Sequence, residues 1–352
     1  MSIAIITGSA GLTGAEAVRH FAKDHTIVGI DNNLRREFFG EEGSTAGMAA
    51  RLQHEQKSYI HHHADIRNAP GLIAVFTEYG HDIKLIVHTA AQPSHEYAGQ
   101  HPLTDFGVNV EGTMNMLECM RKFCPEAVFI HCSSAKVYGN RMNGWPLIEY
   151  PTRYDFGDSC AIHCGVTESL SIDQSMHCLM GASKAAADLM VQEYGRYYEL
   201  KTVSVRPNCI TGPGHASAEL HGFLAYLMKC CMTGRTYTIL GFKGKQVRDN
   251  IHSYDLVQAF DYLYRTPPPC GEVYNVGGSR YSNCSILEAI TIAEKVTGNK
   301  MVCKYREEPR RGDQKWYITN NGKFRQAYPG WTLTYDTQRI LEDIEAGAVA
   351  VK

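Results

Sequence analysis

Apolar and polar positions alternate along the first two-thirds of the chain in blocks of two kinds. Short unbroken apolar runs come first: Ile3-Ala4-Ile5-Ile6, then Thr26-Ile27-Val28-Gly29-Ile30, Ser58-Tyr59-Ile60-His61, Leu85-Ile86-Val87-His88, Val128-Phe129-Ile130-His131 and Thr202-Val203-Ser204-Val205. Runs of four to six with β-branched residues read as strands buried on both faces. Between them lie longer blocks of helical composition: Ala15 to Ala22, Leu72 to Tyr79, Val110 to Lys122 and Ala182 to Tyr198. Strands alternating with helices predict a parallel sheet with right-handed crossovers, in which ligands bind at the carboxyl ends of the strands. Gly8, Asp31, Ala91, Ser134 and Asn208 fall at those ends.

Two stretches break the rhythm. Residues 140–180 are long, irregular and rich in Pro, Tyr, Cys and Asp, the length of a functional loop. After Pro207 the pattern turns mixed, marked by Thr211-Gly212-Pro213-Gly214 and Pro267-Pro268-Pro269. The expected division is a nucleotide-binding domain of residues 1–207 plus about 247–268, and a smaller mixed lobe of about 208–246 plus 269–352. The fold class is α/β: a doubly wound parallel sheet of Rossmann type with a smaller C-terminal substrate lobe.

The first 31 residues carry chemistry. A strand leads into Thr7-Gly8-Ser9-Ala10-Gly11-Leu12-Thr13-Gly14, then a helix, then a second strand that ends in Asp31. Gly8 permits the tight turn, Gly11 lets backbone approach a pyrophosphate, and Gly14 allows close helix–strand packing. The helix N-terminus offers free N–H groups and a positive dipole end to the phosphate. Asp31 stands where a carboxylate bonds ribose hydroxyls. The reading is dinucleotide binding, with the acid favouring NAD over NADP; Arg35 and Arg36 stand close by.

Composition narrows the rest. The chain has 352 residues, 44% of them hydrophobic and 20% charged, which fits a packed protein. A net charge of −2 offers no basic field for nucleic acid. No apolar run approaches the ~18 residues of a membrane span, and the N-terminus has no basic n-region or cleavage site. A reduced, cytoplasmic protein is expected. The twelve cysteines are scattered without a C-x-x-C pair, so buried thiols are expected and no disulfide framework. His61-His62-His63 on an extended segment would point to alternate faces and converge poorly on one ion, so no metal site is expected.

These motifs together resemble the extended short-chain dehydrogenase/reductase superfamily of nucleotide-sugar epimerases and dehydratases, over nearly the whole chain. Its marks are Gly8-x-x-Gly11-x-x-Gly14, Asp65-Ile66, Ala90-Ala91-Gln92, Ser133-Ser134-Ala135-Lys136-Val137-Tyr138-Gly139, Ser183-Lys184, Gln246-Val247-Arg248-Asp249 and Arg310-Arg311-Gly312-Asp313. Within it, Lys136 and Gly244 to Asp249 point to 2-epimerases. The resemblance implies tightly bound NAD, a nucleotide-diphosphate sugar as substrate and a homodimer. It implies transient oxidation of a sugar carbinol, a change at the sugar, and re-reduction. Cofactor contacts are expected from Gly8, Gly11, Leu12, Gly14, Asp31, Asn32, Asn33, Arg35, Asp65, Ile66, Ala90, Ala91, Gln92, Asn109, Ser133, Lys184, Pro207 and Asn208.

The usual proton carrier of that family is a tyrosine four residues before the lysine. Here Met180 stands there, and a thioether neither donates nor accepts a proton at neutral pH. Some dehydratases of the family carry Met at this place and use an Asp-Lys pair at the preceding strand end; here that pair reads Ala135-Lys136. Lys136 is therefore a candidate acid/base, or else a substrate phosphate contact or solvated loop lysine. Lys184 is the expected cofactor-ribose lysine and Ser134 a substrate hydroxyl partner. Cys209 is either a reactive thiolate facing substrate or an apolar thiol. Arg248 and Arg310 suit bidentate pyrophosphate binding, or internal ion pairs with Asp249 and Asp313. The expected activity is an NAD-dependent nucleotide-sugar epimerase, with a 4,6-dehydratase or a catalytically silent NAD-binding protein as alternatives.

Overall fold

A computed structural model describes residues 2–157, 161–216, 218–219 and 221–349. The chain divides into two compact units. The first comprises Met1–Ser134, Leu179–Arg206 and Val257–Tyr274; the second comprises Ala135–Cys178, Pro207–Leu256 and Asn275–Lys352.

The first unit is built on a seven-stranded sheet. Its strands include β1 (Ser2–Thr7), β2 (His25–Ile30), β3 (Tyr59–His62), β4 (Ile83–His88) and β5 (Val128–Cys132). Across the sheet the order is Glu272–Asn275, Thr202–Arg206, β5, β4, β1, β2, β3. From Thr202–Arg206 to β3 every neighbouring pair runs parallel. The apolar runs become strands because helices cover both faces: Ile5, Ile86 and Phe129 are fully buried among Leu72, Phe76, Leu117 and Val191 from the crossover helices.

The second unit has its own core. Leu227 and Met228 of the Phe223–Thr233 helix pack with Ala289, Ile340 and Leu341. Its four-stranded sheet joins Val247–His252 to Cys209–Thr211, Asn283–Ser285 and Trp316–Tyr317. Among the described residues no helix is long and apolar enough to cross a membrane.

The two units differ from the expected boundaries in three places. Residues 135–178 belong to the second unit, because Val166 pairs with Thr319 and Tyr154 N–H donates to Lys245 O. Residues 247–256 belong there as well, since Val247–His252 is the central strand of the smaller sheet. Conversely, Glu272–Asn275 extends the large sheet beside Thr202–Arg206.

The helix Leu179–Tyr198 is locked to its following strand by a buried ion pair. Arg206 Nη2 lies 2.6 Å from Asp188 Oδ1, and Ser204 Oγ donates to Asp188 Oδ2 at 2.6 Å. Asp188 is fully buried, and the arginine holds its carboxyl below the usual range against the opposing effect of burial. Removing one partner strands the other in a low-dielectric interior, at a cost of about 3–5 kcal/mol. Asp188→Ala is therefore expected to lower unfolding free energy by about that amount in urea titrations; a loss under about 1 kcal/mol, the size of an exposed pair, would contradict it.

Candidate active site

The glycine turn stands at the carboxyl end of β1. Gly8 has φ +62°, and its N–H donates to Ile30 O at 2.8 Å. Helix α1 (Leu12–Phe21) follows with Gly11 as N-cap, and no side chain caps its first turn. A Cβ on Gly14 would sit 2.0 Å from Gly8 O, so only glycine lets α1 come this close to the turn. The result is a helix N-terminus with free N–H groups at a strand end, which suits a diphosphate. Asp31, at the end of β2, accepts from Ala10 N–H at 3.1 Å and Asn33 N–H at 2.8 Å. Asn32 Nδ2 donates to Asp65 at 2.9 Å, and Arg35 lies over the Phe39 ring at 4.7 Å. A cleft of about 500 Å³ opens here, lined by Asn32, Asn33, Leu34, Arg36, Glu37 and His63. The turn, the uncapped helix start and the acid fit the ADP half of a dinucleotide.

Beyond β4 the chain is anchored to the long helix by amides. Gln92 N–H donates to Asn109 Oδ1 at 2.9 Å, and Asn109 Nδ2 donates back to Gln92 O at 3.0 Å. Asn109 Nδ2 also reaches Ser183 Oγ at 3.0 Å, beside Lys184. Asp105 accepts from Gln92 Nε2 at 2.7 Å; burial pushes its carboxyl above the usual range. Asn109 falls in a π-turn at Gly107–Glu111, which overlaps the start of the helix that the sequence predicts from Val110. Ala90 and Ala91 are half-buried beside this network, and Ile66 is in the core.

Lys184 is buried and donates to Cys132 O at 2.9 Å, at the end of β5. Burial lowers its pKa. Ser133 is buried and Ser134 half-buried at the same strand end. Met180 is buried one helical turn before Lys184, on the same face of the helix. Beneath, His88 and His131 stack at 5.4 Å. His88 is pushed down to about 3 and His131 well below its ordinary value, both by burial first and the Lys184 charge second, so both rings are neutral.

In the second unit one carboxylate gathers three cations. Asp313 Oδ1 lies 2.7 Å from Arg248 Nη2 and 3.4 Å from Lys136 Nζ, and Asp313 Oδ2 lies 3.3 Å from Arg310 Nη2. Gln314 Oε1 stands 3.5 Å from Lys136 Nζ. Burial lowers the Lys136 pKa; Asp313 opposes the shift and the two arginines add to it. The ion-pair reading of the arginines therefore holds for Asp313. Asp249 does not take part: it accepts from Asn208 Nδ2 at 2.8 Å and Ser279 N–H at 2.9 Å. Pro207 and Asn208 also lie in this unit. Cys209 does not become a thiolate, because burial pushes its thiol up to about 11. His177 bonds Ser175 O at 3.0 Å and Val137 O at 2.8 Å. Among the described residues all eleven cysteines are free, and no three His, Cys, Asp or Glu side chains gather as a metal site.

A sequence profile described as the NAD dependent epimerase/dehydratase family matches residues 4–277. The chain belongs to this family. The CDP-paratose 2-epimerase of Salmonella typhi is 27% identical over 330 residues, 92% of each chain. The dTDP-glucose 4,6-dehydratase 1 of Escherichia coli K12 is 25% identical over 350 residues, covering 93% of this chain and 87% of the relative. A UDP-glucuronic acid 4-epimerase from Bacillus cereus, solved with UDP-glucuronic acid and NAD, shares the fold at a TM-score of 0.79 and 21% identity, covering 99% of this chain and all of that one. Family membership makes this a nucleotide-sugar epimerase/dehydratase with NAD as the family's cofactor, and the glycine turn with Asp31 is where the protein would hold it. Met180 stands where the sequence resemblance expects the family's tyrosine.

Sequence reasoning named Asp313 as a partner of the arginines but did not join Lys136 to it, because the two lie 177 positions apart. The Arg-Arg-Gly-Asp spacing was the available signal. Three of the groups around the Asp313 carboxylate are cations. Asp313→Asn keeps the shape and removes the charge, so inorganic pyrophosphate should bind roughly tenfold tighter in calorimetry, equivalent to ~1.4 kcal/mol. Unchanged or weaker binding would contradict an anion-binding role for the cluster.

Proposed function

We propose that this chain is an NAD-dependent nucleotide-sugar epimerase that oxidises a sugar carbinol transiently and reduces it again, with Lys136 carrying the proton that a tyrosine moves elsewhere in the family. Two observations carry it: Met180, in the first unit, is apolar and buried, and Lys136, in the second, is largely shielded from solvent with its pKa lowered. NAD, when bound, supplies reversible two-electron oxidation. The protein supplies the rest. Arg248 and Arg310 exchange part of their hold on Asp313 for the substrate pyrophosphate. The sugar O–H proton passes to the neutral Lys136 amine and returns when the sugar is reduced. Lys184 holds the nicotinamide ribose, and Ser134 bonds the sugar hydroxyl. Met180 packs against the sugar or nicotinamide, where a polarisable apolar chain fits.

A 2-epimerisation like that of CDP-paratose 2-epimerase is the reaction we favour. It requires the α-proton beside the ketone to leave and return on the other face, so Lys136 must first release the carbinol proton to solvent before its amine is again a base. A 4,6-dehydratase is the second reading, favoured by methionine at position 180. It lacks support at Ala135, where an acid would be needed to protonate the leaving hydroxyl. The same reading includes cytoplasmic action and a homodimer, for which Leu103, Phe106, Leu189 and Tyr197 offer exposed apolar surface on two helical segments of the first unit.

Lys136→Met should lose about 10²–10⁴ in turnover while substrate affinity stays within a few-fold. The pH profile gives the sign. A lysine acts as base only when neutral, so wild-type turnover should rise with pH through the lowered pKa of Lys136. In Lys136→Met that rising limb should vanish. Turnover near wild type, or an unchanged limb, would refute the role.

A further inference from the structure

A hydrogen-bonded chain of three side chains runs from the glycine turn to the edge of the large sheet. Ser9 lies inside the turn and is fully buried. Its Oγ is 2.9 Å from Tyr59 Oη, and Tyr59 Oη is 2.8 Å from His61 Nδ1. Tyr59 and His61 are two apart on β3 and share a face. The chain has a prepared space. Gly29 sits mid-strand in β2, where glycine weakens a sheet. A Cβ there would stand 2.3 Å from the Tyr59 ring, 2.6 Å from Tyr59 Oη and 2.7 Å from Ser9 Oγ. Burial pushes the Tyr59 phenol up to about 12, so it stays protonated and serves only as a hydrogen-bond link.

The link has a direction. With His61 neutral and its proton on Nε2, Tyr59 donates to His61 Nδ1, and Ser9 donates to Tyr59. Every hydroxyl proton is then used. When His61 takes up a proton, Nδ1–H must donate to Tyr59. Tyr59 must then donate to Ser9, and the Ser9 proton loses its acceptor. Among the described residues Ser9 Oγ meets no hydrogen-bond partner other than Tyr59. A buried hydroxyl left in that state disfavours its present position. Ser9 is followed directly by Ala10, whose N–H holds Asp31, and the turn then supplies the N–H groups for the diphosphate.

We propose that Tyr59 is a positioning residue for the phosphate turn, and that through it the protein's hold on NAD weakens when His61 is protonated. This rests on the NAD reading of the turn. The groups acting on His61 are Asp31 at the end of β2, and His62 and His63 on its own segment. The helix Ala46–Glu55, packed on β3, turns Arg51, His54 and Glu55 to solvent, with Arg51 paired to Glu55. Burial sets His61 below its ordinary value, against the Asp31 charge. The ring is therefore neutral at pH 7.5 and gains its proton only below the ordinary histidine range.

The test is calorimetric titration of nucleotide-free protein with NAD, and separately with ADP, at pH 7.5, 6.5 and 5.5. Wild type should weaken about 5- to 30-fold from pH 7.5 to 5.5, with both ligands, since both carry the diphosphate. Tyr59→Phe should bind more weakly at pH 7.5 and show no pH slope. His61→Gln, which can still accept from Tyr59, should bind near wild type at pH 7.5 and also be flat. His54→Gln, on the solvent-facing side of the helix Ala46–Glu55, should follow wild type. A flat wild-type profile, a slope that survives in His61→Gln, or a slope with NAD but not ADP would overturn the proposal. If Tyr59→Phe fails to fold, His61→Gln decides. Wild type that binds neither ligand at any pH would instead overturn the NAD reading itself.

Discussion

The close approach of α1 to the end of β1 is the constraint on which the first unit's chemistry depends. Gly14 admits no Cβ because Gly8 O would lie 2.0 Å from it. Gly8 itself takes a positive φ, and a Cβ on it would meet Ala90 N at 2.9 Å. Backbone therefore packs on backbone, and the first turn of α1 is left with N–H groups that no side chain satisfies. Those donors, with the dipole behind them, are worth most to an anion. Asp31 is tied into the same turn through Ala10. Ser9, between them, is tied downward to Tyr59. On the proposed reading, phosphate and ribose recognition would rest on these glycines and on the two hydrogen bonds that tie Ala10 to Asp31 and Ser9 to Tyr59.

The second unit meets a different problem, that of concentrating positive charge. Arg248, buried, Lys136, largely shielded, and Arg310, a third exposed, would repel one another. Asp313 makes the arrangement tolerable, and Gln314 and Asn143 fix the Asp313 segment from either side. One carboxylate is shared by three cations. The Lys136 pKa is lowered, since burial and the arginines outweigh the acid. A lysine poised this way can do proton work that Met180 cannot.

Much of this was legible in the sequence, for physical reasons. Doubly buried strands leave unbroken apolar runs, so β1, β2, β4 and β5 lie where those runs do. A parallel sheet then puts Gly8, Asp31, Ala91 and Ser134 at one edge without further information. The features that stayed hidden depend on long-range contacts or local irregularity. No periodicity announces that Asp313 meets Lys136, or that Tyr59 reaches beneath Ser9. The π-turn at Gly107–Glu111 sits at the start of the helix read from Val110, where composition does not announce it. Residues 135–178 read as a loop of the first domain but belong to the second unit, because single backbone pairings such as Val166 with Thr319 decide it. Cys209 sits among cations that would favour a thiolate, yet burial outweighs them.

The central claim is that oxidation and re-reduction occur on one retained cofactor, with a proton exchanged at the sugar. It is tested most directly by incubating the purified protein with a panel of nucleotide-diphosphate sugars in deuterated water and following the products by NMR. The account predicts that one sugar is converted to an epimer, with deuterium at the inverted carbon and no net consumption of NAD. Loss of water to a keto-deoxy sugar would move the chain to the dehydratase side of its family. No conversion of any sugar, in protein shown to bind NAD, would contradict the account.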